Sequence, residues 1–441
     1  MKIVKMSLAA AVLVGASAFA IDNVKVSGDA KLYYHTTDNE YGVAGVKTDG
    51  SLFDKKTSAG QAAVGLGASA DLATGISAGA HMTALSTLGL EGQLVNNVWE
   101  GTNGVTDTYW FDEAWIAGTA GKTTAKVGRM ALDTPLVFTE TWSIAKNTFE
   151  AAVVINQDLP DTTLVGAYVG GSNAYSAVNT AYNGHGNPAP AVGIANRIQT
   201  SADGAGSSDA SNFSQFYNGA FAVGVVNNSV KPLTLQAWYY DAPQAVKAYW
   251  LQADLNMEGV LAGAQYSGID YTKNAQLPIA KDASNDVYAL MLGYEMKDTF
   301  TAKVAYSQTG TEKDSTLGLG AGANLATLGN AAQSKLYTEA WWNYAYVTRA
   351  DTSAINVTVE VPVKDVADFG VYYTSSSTDN NGGTQSKVDM NELTLTVGKS
   401  FGPLDATLAY IYTKADDLNQ KSLANKGDAF NTIQAYLTLN F

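Results

Sequence analysis

The sequence contains no cysteine, which excludes disulfide bonds and thiolate metal sites. Basic residues are few, with 27 Lys and Arg against 41 Asp and Glu, and a chain of formal charge −14 is unsuited to nucleic acid. Beyond residue 20 no apolar run approaches the about 20 residues of a membrane-spanning helix, so any span must be made of strands. The three histidines, His35, His81 and His185, lie far apart and form no H-E-x-x-H motif. The sequence therefore does not indicate an enzyme.

The first 20 residues, MKIVKMSLAAAVLVGASAFA, have the organisation of a secretory signal peptide. Two lysines precede an apolar stretch from about Leu8 to Val14, and small residues follow up to an A-x-A cleavage pattern at 18–20. A membrane anchor helix, the alternative, would need about 20 apolar residues. We therefore predict a signal peptide over 1–20, cut before Ile21, and a single domain over 21–441.

Most of the remaining sequence alternates apolar and polar residues with the period of two that strands have. The chain ends on AYLTLNF, part of a stretch whose apolar face carries Ile433, Ala435, Leu437, Leu439 and Phe441. The same alternation recurs at 24–34, 63–72, 76–84, 300–307, 355–361 and 404–412. The pattern predicts an all-β fold.

Short and long connections alternate between these strands. Short turns are predicted near 73–75, 119–122, 156–161, 227–232, 257–259, 297–298, 364–367 and 400–403. Longer loops are predicted near 35–61, 86–107, 131–147, 170–213, 268–285, 309–351, 376–388 and 414–429, with one short member at about 241–246. An outer-membrane β-barrel has this layout, with turns on the periplasmic side and loops outside.

The segment 335–347, KLYTEAWWNYAYV, also has a strand-like composition and would give nineteen strands. A barrel whose first strand rises from the periplasm and whose last strand returns there has an even number of strands. We therefore place this segment in the long loop 309–351, folded toward the pore. The resulting prediction is a transmembrane antiparallel β-barrel of about 18 strands.

A sheet that spans a membrane must close on itself. Hydrocarbon offers no hydrogen-bond partners, so every backbone N–H and C=O must be paired within the sheet. The apolar faces then point to lipid, and an interior of this width holds water. A soluble barrel or sandwich would turn its apolar face inward, and alternation alone does not distinguish the two. Tyrosine pairs near strand ends (33–34, 239–240 and 372–373) favour membrane-interface girdles, although cross-strand packing would also explain them.

Several segments resemble a known family. They are GKTTAKVGRMALDTP (121–135), NTFEAAVVINQDLPDTTLVGAYVGG (147–171), VKPLTLQAWYYDA (230–242), WWNYAYVTRAD (341–351) and the opening MKIVKMSL. In these segments the chain resembles the major outer-membrane porins of campylobacter-type bacteria and, more distantly, the OprD-like porins.

The resemblance implies an 18-stranded barrel, usually a homotrimer, whose third extracellular loop bends inward and narrows the pore. The matching loop is 131–147, and the candidates for the constriction are Arg129, Asp133, Glu140 and Lys146. The resemblance also implies that the outer-membrane insertion machinery recognises the last strand through Ala435, Leu437, Leu439 and Phe441. OprD-like channels guide carboxylates along a ladder of basic residues, and the presence of only three arginines here argues against that specificity.

Charged residues on predicted inner faces are candidates for lining the pore. They are Lys25, Asp29, Lys31, Asp71, Lys303, Glu360, Glu392 and Asp405. Because acids exceed bases in the chain, we predict a weak preference for cations. No cofactor is expected: the segments STDNNGG (377–383) and TDG (48–50) loosely match calcium loops but lack the terminal Glu, which favours a solvated acidic loop.

The expected function is that of a porin in the bacterial outer membrane, surrounded by lipid, through which small hydrophilic solutes and ions diffuse passively. Two alternatives stay open. One is a substrate-selective channel of the same fold. The other is a surface adhesin or structural barrel with a plugged lumen, which the length of loop 309–351 would allow.

Overall fold

Eighteen strands make up nearly all the regular structure among the residues that the computed structural model describes. They are β1 (Asp22–Thr37), β2 (Ser58–Ala73), β3 (Ile76–Ser86), β4 (Thr108–Ala120), β5 (Thr123–Met130), β6 (Phe149–Asn156), β7 (Thr162–Ser172), β8 (Ser214–Asn227), β9 (Leu233–Ala242), β10 (Val246–Met257), β11 (Val260–Tyr271), β12 (Ala283–Met296), β13 (Phe300–Thr309), β14 (Thr352–Val363), β15 (Ala367–Asp379), β16 (Lys387–Phe401), β17 (Leu404–Ala415) and β18 (Phe430–Asn440). Two short 3-10 helices, Lys55–Thr57 and Tyr344–Thr348, lie in loops.

The structure describes residues 22–41, 47, 50–86, 88–89, 94–95, 108–142, 144–173, 213–273, 281–311, 321–327, 332–379 and 387–441. Within these ranges no helix is long and apolar enough to cross a membrane. The predicted signal peptide over 1–20 lies outside the described residues.

The strands form one antiparallel sheet that closes on itself. Each strand pairs with the next along the chain, and β18 pairs with β1, where Leu32 lies opposite Leu437. Closure removes the sheet edges, whose unpaired backbone groups could not be satisfied in hydrocarbon. The predicted 18-stranded antiparallel barrel is confirmed. The segment 335–347 lies between β13 and β14, outside the strands, as predicted.

The predicted alternation of turns and loops is also confirmed. Every connection at one end of the barrel has five residues or fewer, whereas the connections at the other end include the long loops. The two-residue turns after β2 and β4 contain Gly75 and Gly121 at φ +73° and +61°. Glycine adopts this left-handed conformation without the steric cost of a Cβ, so these residues allow the tightest turns.

The outer face of the barrel is apolar. The outward side chains of Leu290, Leu292 and Val304 are 54%, 64% and 49% exposed, whereas the inward Ala289 and Ser307 are fully buried. A soluble barrel would have the opposite orientation, with its apolar side chains in a dry centre. The apolar faces of the alternating strands therefore contact lipid.

Tyrosines line the outer face near the end with the long loops. Tyr239 lies opposite Tyr249, and the rings of Tyr249 and Tyr266 are 5.7 Å apart at their centroids. Only one member of each predicted tyrosine pair belongs to this girdle, because neighbouring residues on a strand point to opposite faces. The outward members are Tyr34, Tyr239 and Tyr373, and the inward members are Tyr33, Tyr240 and Tyr372.

Among the described residues, two loops fold into the barrel and bury a hydrophobic core against its wall. We call them L3 (131–148) and L7 (310–351, of which 310–311, 321–327 and 332–351 are described). Leu136 of L3 and Leu325, Leu336 and Val347 of L7 belong to one buried cluster with Trp250 of β10. This cluster extends along the inner face from Met130 at the end of β5 to Ala354 of β14. The two loops therefore fill part of the interior, and we call the space that remains the passage.

Candidate pore constriction

L3 and L7 are joined by a polar seam centred on two side chains, Asn324 and Glu140. The amide of Asn324 accepts from the backbone N–H of Phe138 at 3.3 Å and donates to its carbonyl at 2.9 Å. Glu140 Oε1 accepts from Asn324 Nδ2 at 2.9 Å, from the backbone N–H of Gln333 at 3.1 Å, and from the hydroxyl of Thr327. The two loops therefore form one hydrogen-bonded unit.

Glu140 is only 3% exposed, although it is a carboxylate. Burial raises the pKa of Glu140, and the hydrogen bonds from Thr327, Trp142 and Asn324 oppose that rise by favouring the charged form. The second oxygen, Oε2, accepts from Trp142 Nε1 at 2.8 Å. A buried carboxylate satisfied on both oxygens fixes the relative position of the loops.

L7 is also attached to the barrel wall at several strands. Gln265 of β11 donates to the carbonyl of Lys335 at 2.8 Å and accepts from the N–H of Tyr337 at 3.1 Å. Glu392 of β16, 1% exposed, accepts from the N–H groups of Trp342 and Asn343 at 3.0 and 2.8 Å. These contacts attach L7 to the inner wall at β11 and β16, so L7 narrows the lumen along that part of the wall.

The inner face of β1–β5 carries charged side chains that face the passage. Asp29 lies 3.2 Å from Lys31, and His81 lies 2.6 Å from Asp112 and 3.6 Å from Asp29. L3 reaches this row through Lys146, which pairs with Glu113 and lies 3.9 Å from Asp112. The row therefore connects three strands to the constriction loop through charges of alternating sign.

A β-bulge explains why Asp112 and Glu113, neighbours in sequence, both face inward. His81 lies opposite Glu113 and Met82 opposite Phe111, so Asp112 is the extra residue on β4. Strict alternation would place Asp112 and Glu113 on opposite faces, and our sequence analysis named neither. The sequence does carry a signal of the bulge, because the alternation of apolar residues shifts by one position. Tyr109 and Phe111 are outward before the bulge, and Ala114 and Ile116 are outward after it.

The four predicted constriction residues lie in different environments. Asp133 contacts Lys335 of L7 and is largely exposed, and Lys146 lies in the charged row. Glu140 is buried in the seam and does not face the passage. Arg129 lies opposite Ala114 and Glu150, on the face that also carries Val127, and pairs with Glu150 at 3.0 Å. Asp133, Glu140 and Lys146 therefore belong to L3, which folds into the barrel. Arg129 lies on the outer side of the wall.

The predicted pore-lining residues share the inner face but differ in surroundings. Asp29 and Lys31 belong to the charged row, and Glu392 is buried beneath L7. Glu360 accepts from the hydroxyl of Tyr372 at 2.9 Å. The others lie nearer the short-turn end: Lys25, Asp71, Lys303 and Asp405. Of these, Asp71 accepts from Asn23 at 2.6 Å and Asp405 accepts from Asn440 at 3.1 Å.

The predicted insertion residues Ala435, Leu437, Leu439 and Phe441 all lie on the outer face of the last strand. Leu437 and Phe441 are 38% and 39% exposed there. Phe441 also closes the sheet, since its N–H donates to the carbonyl of Gly28 at 2.8 Å and its carbonyl accepts from the N–H of Gly28 at 2.7 Å.

The described residues hold no cluster of three or more His, Asp or Glu side chains arranged for a metal ion. Parts of the two segments that loosely match calcium loops, at 48–49 and 380–383, lie outside the described residues. The segment GISAG (75–79) has the G-x-S-x-G spacing of a serine nucleophile. It runs from the β2–β3 turn into β3, however, and not from a strand into a helix, so it is not a nucleophile elbow.

The arrangement filters solutes and does not transform them. A closed barrel with an apolar exterior spans a membrane, and a polar interior narrowed by two loops admits solutes by size and charge. Fold and site together define a β-barrel channel of the bacterial outer membrane.

Comparison with known proteins identifies the family. A family model described as Gram-negative porin matches residues 7–321, and the chain belongs to this family. Its members are channels and not enzymes, and they lie in the outer membrane, where small solutes pass through them. Among curated protein sequences none matches the chain.

Solved structures of similar fold are channels of the OprD and Occ type. OccK3 (OpdO) of Pseudomonas aeruginosa superposes with a TM-score of 0.65 at 11% identity, covering 96% of this chain and 97% of that one. OccAB1 of Acinetobacter baumannii gives 0.68 at 12% identity, with 95% and 96% covered. OpdK of Pseudomonas aeruginosa, solved with vanillate, gives 0.65 at 12% identity, with 95% and 98% covered. At these identities the likeness shows the fold.

Proposed function

We propose that this porin is a cation-preferring diffusion channel whose constriction is formed jointly by L3, L7 and the charged row of β1–β5. The observation that carries the proposal is the excess of acids on the inner face of the described strands. The acidic residues there are Asp29, Asp71, Asp112, Glu113, Asp254, Glu295, Glu360, Asp368, Glu392 and Asp405. The basic residues are Lys25, Lys31, Lys126 and Lys303. Charges along a wide pore bias the ions that enter it without forming a binding site.

A reversal potential measured across a planar bilayer under a KCl gradient tests this proposal. We expect a potential of the sign that corresponds to K⁺ permeating faster than Cl⁻. Glu113→Gln removes an inward charge and should reduce the preference. The matched control is Asp286→Asn, because Asp286 accepts from Tyr266 on the outer face and should not affect the potential. A clear preference for Cl⁻ in the wild type would contradict the proposal.

A substrate-selective channel is the second candidate, and aromatic contacts at the seam favour it. The rings of Trp142 and Trp342 are 6.1 Å apart at their centroids, and Trp342 lies 5.9 Å from His35. Half-exposed rings at a constriction could stack on a planar solute. Saturable flux of one solute, or block of the ion current by it, would distinguish this candidate from general diffusion. A closed lumen, as in a structural barrel or adhesin, would give no conductance.

We also infer a relationship to the major porins of campylobacter-type bacteria, a homotrimeric assembly, and recognition of the last strand by the insertion machinery. The sequence segments that resemble those porins support all three inferences. Sedimentation of the detergent-solubilised protein tests the trimer, and membrane assembly of a Phe441→Ser variant tests the recognition. N-terminal sequencing of the mature chain tests cleavage before Ile21.

A further inference from the structure

His81 lies on the inner face of β3 with a carboxylate on each side. Its Nδ1 is 2.6 Å from Asp112 Oδ1 on β4, and its Nε2 is 3.6 Å from Asp29 Oδ1 on β1. A neutral imidazole has one N–H and can donate to only one of these neighbours, whereas an imidazolium has two. Two anions that flank one ring favour a cation between them.

The wall is shaped to hold this ring. A Cβ on Gly65 would lie 2.5 Å from Asp29 Oδ1 and 2.8 Å from His81 Cε1. A Cβ on Gly67 would lie 3.0 Å from His81 Cδ2. The two glycines of β2 leave the space in which the ring lies against the sheet, so His81 occupies a defined position and is not a freely rotating side chain in water.

Other charges reach the same place from each neighbouring element. Lys31 of β1 is 3.2 Å from Asp29, and Lys146 of L3 is 3.9 Å from Asp112 and also pairs with Glu113 of β4. Lys126 of β5 lies over the ring of Trp115, 4.1 Å from its centroid. His81 therefore shares Asp112 with the constriction loop, and its charge contributes directly to the potential at the narrow part of the passage.

We propose that His81 is a selectivity-determining residue of this pore. As an imidazolium it offsets the negative charge of Asp29 and Asp112, and its deprotonation increases the attraction of the passage for cations. The inference rests on the conducting lumen of the proposed function, but it concerns a difference between variants and so does not depend on the sign of the wild-type preference.

Reversal potentials under a KCl gradient, measured from about pH 5 to about pH 10, test the inference on four proteins. They are the wild type, His81→Gln, His81→Lys and the control Asp286→Asn, whose carboxylate lies on the outer face. Loss of one charge a few ångströms from the permeating ion, in water, corresponds to about a two- to fourfold change in the ratio of K⁺ to Cl⁻ permeability. We expect the wild-type ratio to rise with pH and the His81→Gln ratio to be high throughout. The His81→Lys ratio should stay low up to about pH 10, because Lys keeps its charge.

The variants separate a charge effect from a structural one. If His81→Gln fails to assemble, the His81→Lys protein and the wild-type pH series still test the inference. A His81→Gln ratio equal to that of the wild type at acidic pH, or the same pH dependence in both, would overturn it. Failure of His81→Lys to keep the low ratio would also overturn it, since the role would then be positional. An absence of channels would overturn the proposed function and this inference together, whereas conducting channels with unchanged ratios would overturn this inference alone.

Discussion

At the scale of single residues, the junction of L3 and L7 depends on carboxylates removed from water. Glu140 receives donors from both loops, and Glu339 of L7 accepts from the N–H of Ser334 at 2.8 Å. Burial raises the pKa of Glu339 to about 8, and the neighbouring Glu140 adds to the rise. Protons therefore favour the docked arrangement of the two loops.

This coupling predicts that L7 loosens as the pH rises. A group whose pKa is raised in the docked state contributes fully below its ordinary value of 4.5, and the contribution is lost as the pH passes through about 8. We expect hydrogen exchange of the backbone amides in 332–348, corrected for the intrinsic pH dependence, to accelerate between about pH 5 and about pH 8 and to level off above that. The double variant Glu140→Gln/Glu339→Gln should lose this acceleration.

Asp133→Asn provides the control for that experiment, because Asp133 is largely exposed and its ion pair with the described part of L7 is with Lys335. Its exchange profile should follow that of the wild type. An unchanged pH dependence in the double variant would show that the two carboxylates do not govern the docking of L7.

The side-chain roles were predicted less well than the side-chain faces. Alternation placed Leu437 and Phe441 on the outer face, because a strand has only two faces and one of them meets lipid. It could not show that Glu140 and Glu392 are buried, since the loop that covers each of them comes from a distant part of the chain. Arg129 lies on the outer face because it is two residues from the outward Val127 on β5, and residues two apart on a strand share a face.

At the scale of elements, the meeting of β1 and β18 decides whether the sheet closes. Gly28 and Phe441 exchange two backbone hydrogen bonds, and a Cβ on Gly28 would fall inside contact distance of Phe441 Cε2. The absence of a Cβ at Gly28 thus allows the ring of Phe441 to lie across the boundary between the first and last strands.

Gly28→Ala should therefore displace the ring of Phe441 and destabilise the barrel by about 1 kcal/mol, the lower end of the usual cost of added volume, because that ring is partly exposed and can shift. Thermal unfolding of the detergent-solubilised protein, followed by the mobility of the folded band in gels, measures the change. Gly118→Ala is the matched control, because nothing lies within 4 Å of a Cβ at that position on β4. Equal melting temperatures for the two variants would contradict the role assigned to Gly28.

The boundaries of the strands were predictable, and their irregularities were not. Turn residues and loss of alternation marked every connection, and the count of 18 followed once the first strand was required to start, and the last strand to end, at the periplasmic side. The bulge at Asp112 breaks the pattern by one residue, which moves two acids to the same face. The segment 335–347 is apolar because it packs against the inner wall, and that burial gives it the composition of a strand.

At the scale of the whole molecule, the lipid-facing exterior and the wet interior have one cause. A sheet that closes in hydrocarbon satisfies its backbone, turns its apolar side chains outward, and leaves polar side chains around water. L3 and L7 then fill part of the interior, and the charged row of β1–β5 lies on its inner face. We propose that selectivity belongs to this combined surface and not to any single loop.

The existence of an open channel is best tested by the single-channel conductance of the purified protein in a planar bilayer. This conductance reports whether ions cross the barrel between L7 and the charged row. The structure predicts discrete, reproducible current steps that scale with salt concentration. A folded barrel that inserts into the bilayer but passes no measurable current would show that the two loops seal the interior, and it would contradict the channel described here.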